Sequence, residues 1–299
     1  SCYRGIPGKY IAAGPLASRW LQQQFVADAT LARSGAQVLG EPAAGYLSHP
    51  GYAALPKAPY RYQEMLGVIW RENPSCYLQD GEQAVLMAAL METDNAGCAL
   101  IDAWISRSGL SADAWLEKLF EASVIPFYHL LCRYGVALIA HGQNVTLVMK
   151  DSIPQRILLK DFQGDMRLVD EDFPQAQSLP EQVKAVTARL SADYIIHDLQ
   201  TGNFVTVLRF ISRLTLQSGV SETRFYQILA GVLHRYMAAH PELAERFATF
   251  DLFKPQIIRV ILNPVKLTFS EHDGGSRMLP NYVTDLDNPL FLASRESAQ

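Results

Sequence analysis

Apolar positions change period several times along this chain, and each change marks an element. From Pro15 to Ser34, Leu16, Trp20, Phe25 and Leu31 fall near one face of a helix, and Gly35 supplies a stop. Ala36 to Leu39 is a short apolar run that suits a strand. Glu41 to Pro59 is rich in Gly, Pro, Ala and Tyr and reads as an ordered loop. Tyr60 to Arg71 returns to a helical pattern, ended by Asn73–Pro74. Ala84 to Glu92 and Ala99 to Ile105 read as strands around an Asp94–Asn95–Ala96–Gly97 turn. Ser111 to Tyr134 predicts a long helix, capped by Ser111, kinked at Pro126 and ended by Gly135.

Val136 to Ala140 predicts a buried strand, and a hairpin follows. Val145 to Met149 (VTLVM) and Arg156 to Leu159 (RILL) are short β-rich runs, and Lys150 to Gln155 between them carries turn residues. Antiparallel pairing around that turn puts Val145 near Lys160. Asn144 then faces Asp161, roughly 5 Å apart at Cβ. Met166 to Val169 adds a short strand. From Pro180 the pattern turns helical, near 181–198, 203–217, 221–239 and 254–262, and the tail from Ser270 is rich in Gly, Asn and Pro. The expected class is α+β, a small antiparallel sheet backed by C-terminal helices, with a soft boundary near Gly109–Ser111.

Composition narrows the picture. The chain has 299 residues, 49% hydrophobic and 19% charged, which suits a globular protein with a sizeable core. Its net charge of −4 implies no broad basic face for nucleic acid. Cys2, Cys76, Cys98 and Cys132 are scattered without a C-x-x-C, so neither disulfides nor zinc are expected, and the reading is a reduced, cytoplasmic protein. Charge or proline breaks every apolar run well short of the ~20 residues a membrane span needs. The sequence opens mid-motif at Ser1–Cys2–Tyr3–Arg4, as expected of a fragment.

The hairpin carries the chemistry. Asp161 can bind Mg²⁺ directly, and Asn144 can offer its amide oxygen to the same ion or an N–H to a phosphate. His141 can donate to a phosphate or a substrate carboxylate. Lys160 can pair with Asp161 or reach a phosphate, and Gln143 and Asp165 stand behind them. The plain alternative is that a His and an Asn beside a turn only satisfy backbone groups. The Asn followed by Asp-Phe loosely echoes the protein-kinase pattern, although Gln163 intervenes before Gly164 and no glycine-rich or Walker lysine motif is present. Ser1 and Arg4, before a Gly–Ile–Pro–Gly turn, can clamp phosphate or serve as ordinary loop residues. Arg71 and Glu72 suggest a helix-end salt bridge. His129 and His197 suggest core-edge histidines. Lys266, in LNPVKLTF, is a weaker candidate anion contact. Trp20, Trp70, Trp104 and Trp115 are most simply core.

HGQN followed by KDFQGD resembles the NRPS-independent siderophore synthetases, the IucA/IucC family. LGEPAAGY (Leu39 to Tyr46), YQEMLGVIWREN (Tyr62 to Asn73), SADYIIHDLQTGNF (Ser191 to Phe204) and RVILNPVKL (Arg259 to Leu267) support it in the family's order. The resemblance covers nearly the whole chain, and since the family is about twice this length, it implies a C-terminal half. It implies a cupped-hand fold of thumb, fingers and palm, with residues 1–110 in the fingers and 111–299 in a nucleotide-binding palm. It implies ATP and Mg²⁺ as cofactors and adenylation of a carboxylate of citrate or a citrate derivative. An amine or hydroxylamine then displaces AMP, and pyrophosphate is released.

The family's Ser-x-x-Arg phosphate motif falls on Ser1 and Arg4, its His-x-x-Asn on His141 and Asn144, and its metal-binding aspartate on Asp161. Many members carry Glu two residues before that His, where this chain has Ile139. The resemblance further implies a homodimer. Two other readings compete. A kinase-like phosphotransferase would use the same Asn and Asp and release ADP. A non-catalytic iron-handling module of the ferric-siderophore reductase type needs clustered cysteines, and none follows Cys132.

Overall fold

The computed structural model describes residues 8–47, 50–54, 67–162, 164–261 and 281–296. Its centre is a four-stranded sheet in the order β1 (Gln37–Val38), β7 (Ile153–Leu159), β6 (Val145–Lys150) and β4 (Glu82–Leu86). β4, β6 and β7 pair antiparallel, and β1 joins β7 in parallel. A second sheet orders β5 (Val136–Leu138), β8 (Met166–Val169) and β9 (Ala188–Leu190). Two ribbons complete the strands: β2 (Ala43–Tyr46) with β3 (Gly67–Trp70), and β10 (Gln256–Ile261) with β11 (Asn281–Asp287). Small sheets among many helices give the expected α+β class.

The β6–β7 hairpin closes on a tight turn at Asp151 and Ser152, both left-handed at φ 51° and 64°, the geometry that matches strand twist. Trp115, fully buried in the Ala112–Ser123 helix, donates its indole N–H to the Ser152 carbonyl at 2.7 Å and ties the turn to that helix. Val145, Leu147 and Met149 point into the main core, whereas Val148 packs with Leu39 and Leu158 on the other face of the sheet. Burial on both faces explains why β6 reads as a continuous apolar run.

The helix expected over Ser111 to Tyr134 is two helices, Ala112–Ser123 and Ile125–Tyr134. Ser111 caps the first through the Ala114 N–H, and Pro126 sits in the first turn of the second, where a missing N–H costs nothing. Gly135, at φ 64°, ends it; a Cβ there would meet Phe173 and Val169 at 2.7 Å. The first expected helix also divides, into Gly8–Ala27 and Ala29–Ser34. Asp28 breaks it by accepting the Thr30 and Leu31 amides as a new N-cap, and Gly35 closes it in the left-handed region.

Several expectations fail. Residues 99–105 are not a strand but enter a Leu100–Ser108 helix; Ile101, Trp104 and Ile105 bury at helical spacing. The strand expected over 84–92 is β4 followed by a 3₁₀ turn, Met87–Met91. Gly67–Trp70, expected helical, is strand β3, and its partner β2 lies inside the expected loop. The helix expected over 181–198 is interrupted by β9, and that expected over 254–262 is β10, whose Ile257, Ile258, Val260 and Ile261 are β-branched. Trp20, Trp104 and Trp115 are buried, whereas Trp70 is 54% exposed on the β2–β3 ribbon. Residues 221–239 are helical as expected, capped by Ser221. The tail from Ser270 to Pro280 and Lys266 lie outside the described residues.

Candidate active site

The open end of the hairpin shapes the site. Pairing runs Val145 to Leu159, not Val145 to Lys160. One extra residue, Gln155, bulges between the Met149–Pro154 and Val148–Arg156 pairs and shifts the register. Asn144 therefore faces Lys160, whose N–H donates to the Asn144 carbonyl at 3.3 Å. Asp161 is the next residue, and its left-handed backbone, φ 65°, turns the chain back at the strand end. Asp tolerates that conformation better than most residues. Asn144, Lys160, Asp161 and Asp165 line one small cavity, backed by Leu138, Ile139 and Phe162. The amide, the ammonium and the carboxylate share the cavity, although the pairing expected to bring them together is not present; His141 does not line it.

Asp165 organises the imidazole side. It accepts the Asn144 side-chain N–H on Oδ2 at 3.1 Å, and the same oxygen lies 3.9 Å from His141 Nε2. Its backbone carbonyl accepts the Ile139 N–H, which fixes the strand leading to His141. Within the HGQN turn, the Asn144 N–H donates to the His141 carbonyl at 2.9 Å. Asn144 is buried, and its amide nitrogen donates to Asp165, leaving the amide oxygen to accept a hydrogen bond or coordinate a cation.

The cationic side includes a residue that sequence reasoning set aside. Arg71 ends no helix. It follows strand β3, donates to Glu41 Oε1 through Nη2 at 2.9 Å and Nε at 3.3 Å, and through Nη2 also pairs with Asp161 Oδ1. Lys160 Nζ lies 3.4 Å from Asp161 Oδ2. Both oxygens of Asp161 thus face cations. Glu41 is fully buried at its side chain, and burial, only partly offset by Arg71, pushes its carboxyl above the usual range. Glu72 turns elsewhere: it accepts the Gly40 N–H at 2.7 Å and the Tyr77 hydroxyl, and burial together with that contact raises the tyrosine to about 12. Glu41 and Arg71 were findable, because they lie in the LGEPAAGY and WREN stretches; no local spacing announced that they meet.

A second buried polar group stands behind Asp165. Asp198 is 3% exposed, its Oδ2 has no partner among the described residues, and burial lifts it to about 7, opposed by Arg167 and aided by Asp165. Next to it, His197 bonds the Tyr194 carbonyl through Nδ1 at 2.5 Å, its Nε2 lies 3.5 Å from Asp198 Oδ1, and burial lowers its pKa. His129 is a core histidine, bonded to the Tyr236 hydroxyl at 2.7 Å and Asp28 at 3.1 Å. Ser1 and Arg4 lie outside the described residues.

Hard oxygen donors fit Mg²⁺, which takes one or two protein carboxylates and completes its shell with phosphates and water. Asp161 and the Asn144 amide oxygen supply such a partial set. No group of three or more His, Cys, Asp or Glu forms a ready metal cage among the described residues. Cys132 is the one cysteine from residue 113 onward; it is buried and its thiol is pushed up by burial, which does not suit ligation of an iron–sulfur cluster by several thiolates. No helix among the described residues is long and apolar enough to cross a membrane.

Comparison with known proteins bears on the family and the fold. The IucA / IucC family model matches residues 1–92, and the ferric iron reductase FhuF-like transporter model matches residues 113–276. Aerobactin synthase of Escherichia coli is 69% identical over 296 residues, covering 99% of this chain and 51% of that protein. The structure of aerobactin synthetase IucC from a hypervirulent pathotype of Klebsiella pneumoniae superposes with a TM-score of 0.85 at 64% identity, covering 97% of this chain and 49% of that one. ATP-bound aerobactin synthetase IucA from the same pathotype shares the fold, with a TM-score of 0.71 at 18% identity over 96% of this chain and 49% of that one. The chain spans about half the length of the curated relatives it matches.

Proposed function

This chain belongs to the IucA/IucC family, and from that premise we propose that it forms the nucleotide-binding part of an ATP-dependent siderophore synthetase. The reaction is adenylation of a carboxylate of citrate or a citrate derivative, followed by condensation with an amine or hydroxylamine, as in aerobactin-type hydroxamate siderophores. Products of the first step are pyrophosphate and a mixed anhydride with AMP. The carrying observation is one cavity at the hairpin mouth lined by Asn144, Lys160, Asp161 and Asp165. A relative of this fold described as ATP-bound supports a nucleotide site in it.

Each residue has a role that follows from its chemistry. A carboxylate is a poor electrophile, and citrate and triphosphate repel each other, so fixed positive charge must stand between them. Asp161 and the Asn144 amide oxygen would hold Mg²⁺, which would supply charge neutralisation on the phosphates. Lys160 and His141 would add a cation and a hydrogen-bond donor toward the phosphates, and Ser1 and Arg4, on which the family's phosphate motif falls, would contribute further phosphate contacts. Asp165 orients both His141 and the Asn144 amide. Binding and positioning account for rate without a covalent nucleophile. The working protein is a cytoplasmic homodimer.

The test is a pyrophosphate-release screen of the complete protein, with citrate and citryl amides against hydroxamate and polyamine nucleophiles. AMP and pyrophosphate are the expected products. ADP formation would instead establish a phosphotransferase and overturn the assignment.

A further inference from the structure

The Glu41–Arg71–Asp161 contact is lopsided. Both Arg71 donors directed at Glu41, Nε and Nη2, crowd onto a single oxygen, Oε1. The other oxygen, Oε2, is buried and has no hydrogen-bond partner within 3.5 Å among the described residues; the Asp161 backbone amide is the group nearest to supplying one to this carboxylate. A guanidinium edge matches a carboxylate best when its two donors meet two oxygens. Here Nη2 is shared with Asp161, which keeps the fork from seating squarely on Glu41. A buried acceptor left without a donor is costly, so this arrangement holds an unmet bond in reserve.

Resting on the Mg²⁺-nucleotide reading above, we propose that Glu41 is a positioning residue that receives Arg71 when the metal claims Asp161. Without the ion, Arg71 bridges Glu41 and Asp161 and neutralises the aspartate. As the divalent cation approaches, it displaces the single positive charge on Asp161 Oδ1. The guanidinium then settles on both oxygens of Glu41, and Oε2 gains the donor it lacks. Glu41 thereby lowers the cost of uncovering the metal ligand. The side chains suit this: Glu41 is 0% exposed and fixed, whereas Arg71 and Asp161 are 24% and 32% exposed and have room to part. The Glu41 N–H accepts no part in the exchange, being held by the Ser18 hydroxyl at 3.0 Å.

The experiment titrates Mg²⁺ into the complete protein with a non-hydrolysable ATP analogue, by calorimetry. Glu41→Gln replaces one oxygen with an N–H donor that repels Arg71 from the second position. Metal affinity is expected to fall about tenfold, the worth of one charge-assisted hydrogen bond. In an Arg71→Ala background the same substitution is expected to have no effect on Mg²⁺ affinity, because nothing remains to be received. Wild-type affinity in Glu41→Gln overturns the proposal, and so does an equal loss in the Arg71→Ala background, which marks a merely structural glutamate. If Glu41→Gln melts early, Arg71→Lys takes its place: a point charge cannot seat on two oxygens, so weaker metal binding is expected and unchanged binding refutes the exchange. Asp161→Asn separates the two readings: unchanged Mg²⁺ affinity there removes the metal assignment itself, whereas a loss there with normal Glu41→Gln removes only the role of Glu41.

Discussion

Replacing Asp161 by Asn tests the site most directly, because it removes a charge while keeping shape and backbone preference. Asp161 sits at φ 65°. Asn accepts that conformation nearly as well, whereas Ala adds a penalty of about 1 kcal/mol. The carboxylate pairs with Arg71 and Lys160, but its side chain is 32% exposed, so each pair contributes at most about 1 kcal/mol. Arg71 retains Glu41 when the aspartate is neutralised. The net loss of stability is therefore about 1 kcal/mol, a fall in melting temperature of roughly 2–4 °C. Loss of an anionic metal ligand acts on the chemistry instead, where metal charge stabilisation is worth several kcal/mol. Pyrophosphate release is expected to fall at least about a hundredfold, close to 3 kcal/mol in barrier. The assay is coupled pyrophosphate detection at saturating ATP, with melting followed in parallel. Turnover near wild type refutes the metal role. A large drop in melting temperature with normal turnover per folded molecule shows Asp161 to be structural.

Other expectations follow from the same contacts. His141→Ala is expected to slow pyrophosphate release about a hundredfold while the melting temperature moves by only a few degrees, since among the described residues its ion-pair contact is Asp165 at 3.9 Å. His129→Leu strands the Tyr236 hydroxyl and leaves Asp28 Oδ2 with only the Tyr134 hydroxyl as donor among the described residues, and chemical denaturation is expected to show a loss of about 2 kcal/mol. Burial acts to raise the Asp28 carboxyl but is outweighed by His129 and the Leu31 and Thr30 amides, so it lies well below the usual range. A depressed folded pKa contributes stability above the unfolded value near 4 and loses it as pH falls, so Asp28→Asn is expected to flatten the acid limb of stability below about pH 5. Asp198 is the reverse case: burial raises it to about 7, so its charge is a penalty that grows as pH rises from about 4 through 7. Asp198→Asn is expected to raise the melting temperature at pH 8 and leave it nearly unchanged at pH 4; equal shifts at both would refute the burial argument.

Periodicity located the long elements and the hairpin, and failed where two readings share one composition. Residues 99–105 have strand-like content, yet Ile101, Trp104 and Ile105 keep a helical interval, and their burial on one face decided the matter. The run at 256–261 falls in a stretch that reads as helical, but pairing with β11 across residues 281–287 makes it a strand. That partner lies too far along the chain for local pattern to announce. Trp70 is apolar by type and half-exposed in place, because a two-stranded ribbon covers only part of it.

The order of residues alone set the HGQN and KDF stretches at the two ends of a β-hairpin, and with them the identity of the amide, imidazole, ammonium and carboxylate groups available there. Local rules suffice for this, since turn chemistry and alternating burial act over a few residues. Tertiary structure decided which groups meet. A two-residue turn with one bulge at Gln155 set Lys160 rather than Asp161 opposite Asn144, and a left-handed Asp161 restored the approach by another route. Packing of the β2–β3 ribbon against the rest of the chain brought Arg71, 90 positions away, onto the Asp161 carboxylate and Glu41, 120 positions from that aspartate, onto Arg71. Charge pairs of that separation are selected by three-dimensional proximity and by the cost of leaving a buried carboxylate without a cation, and neither is written in any single segment.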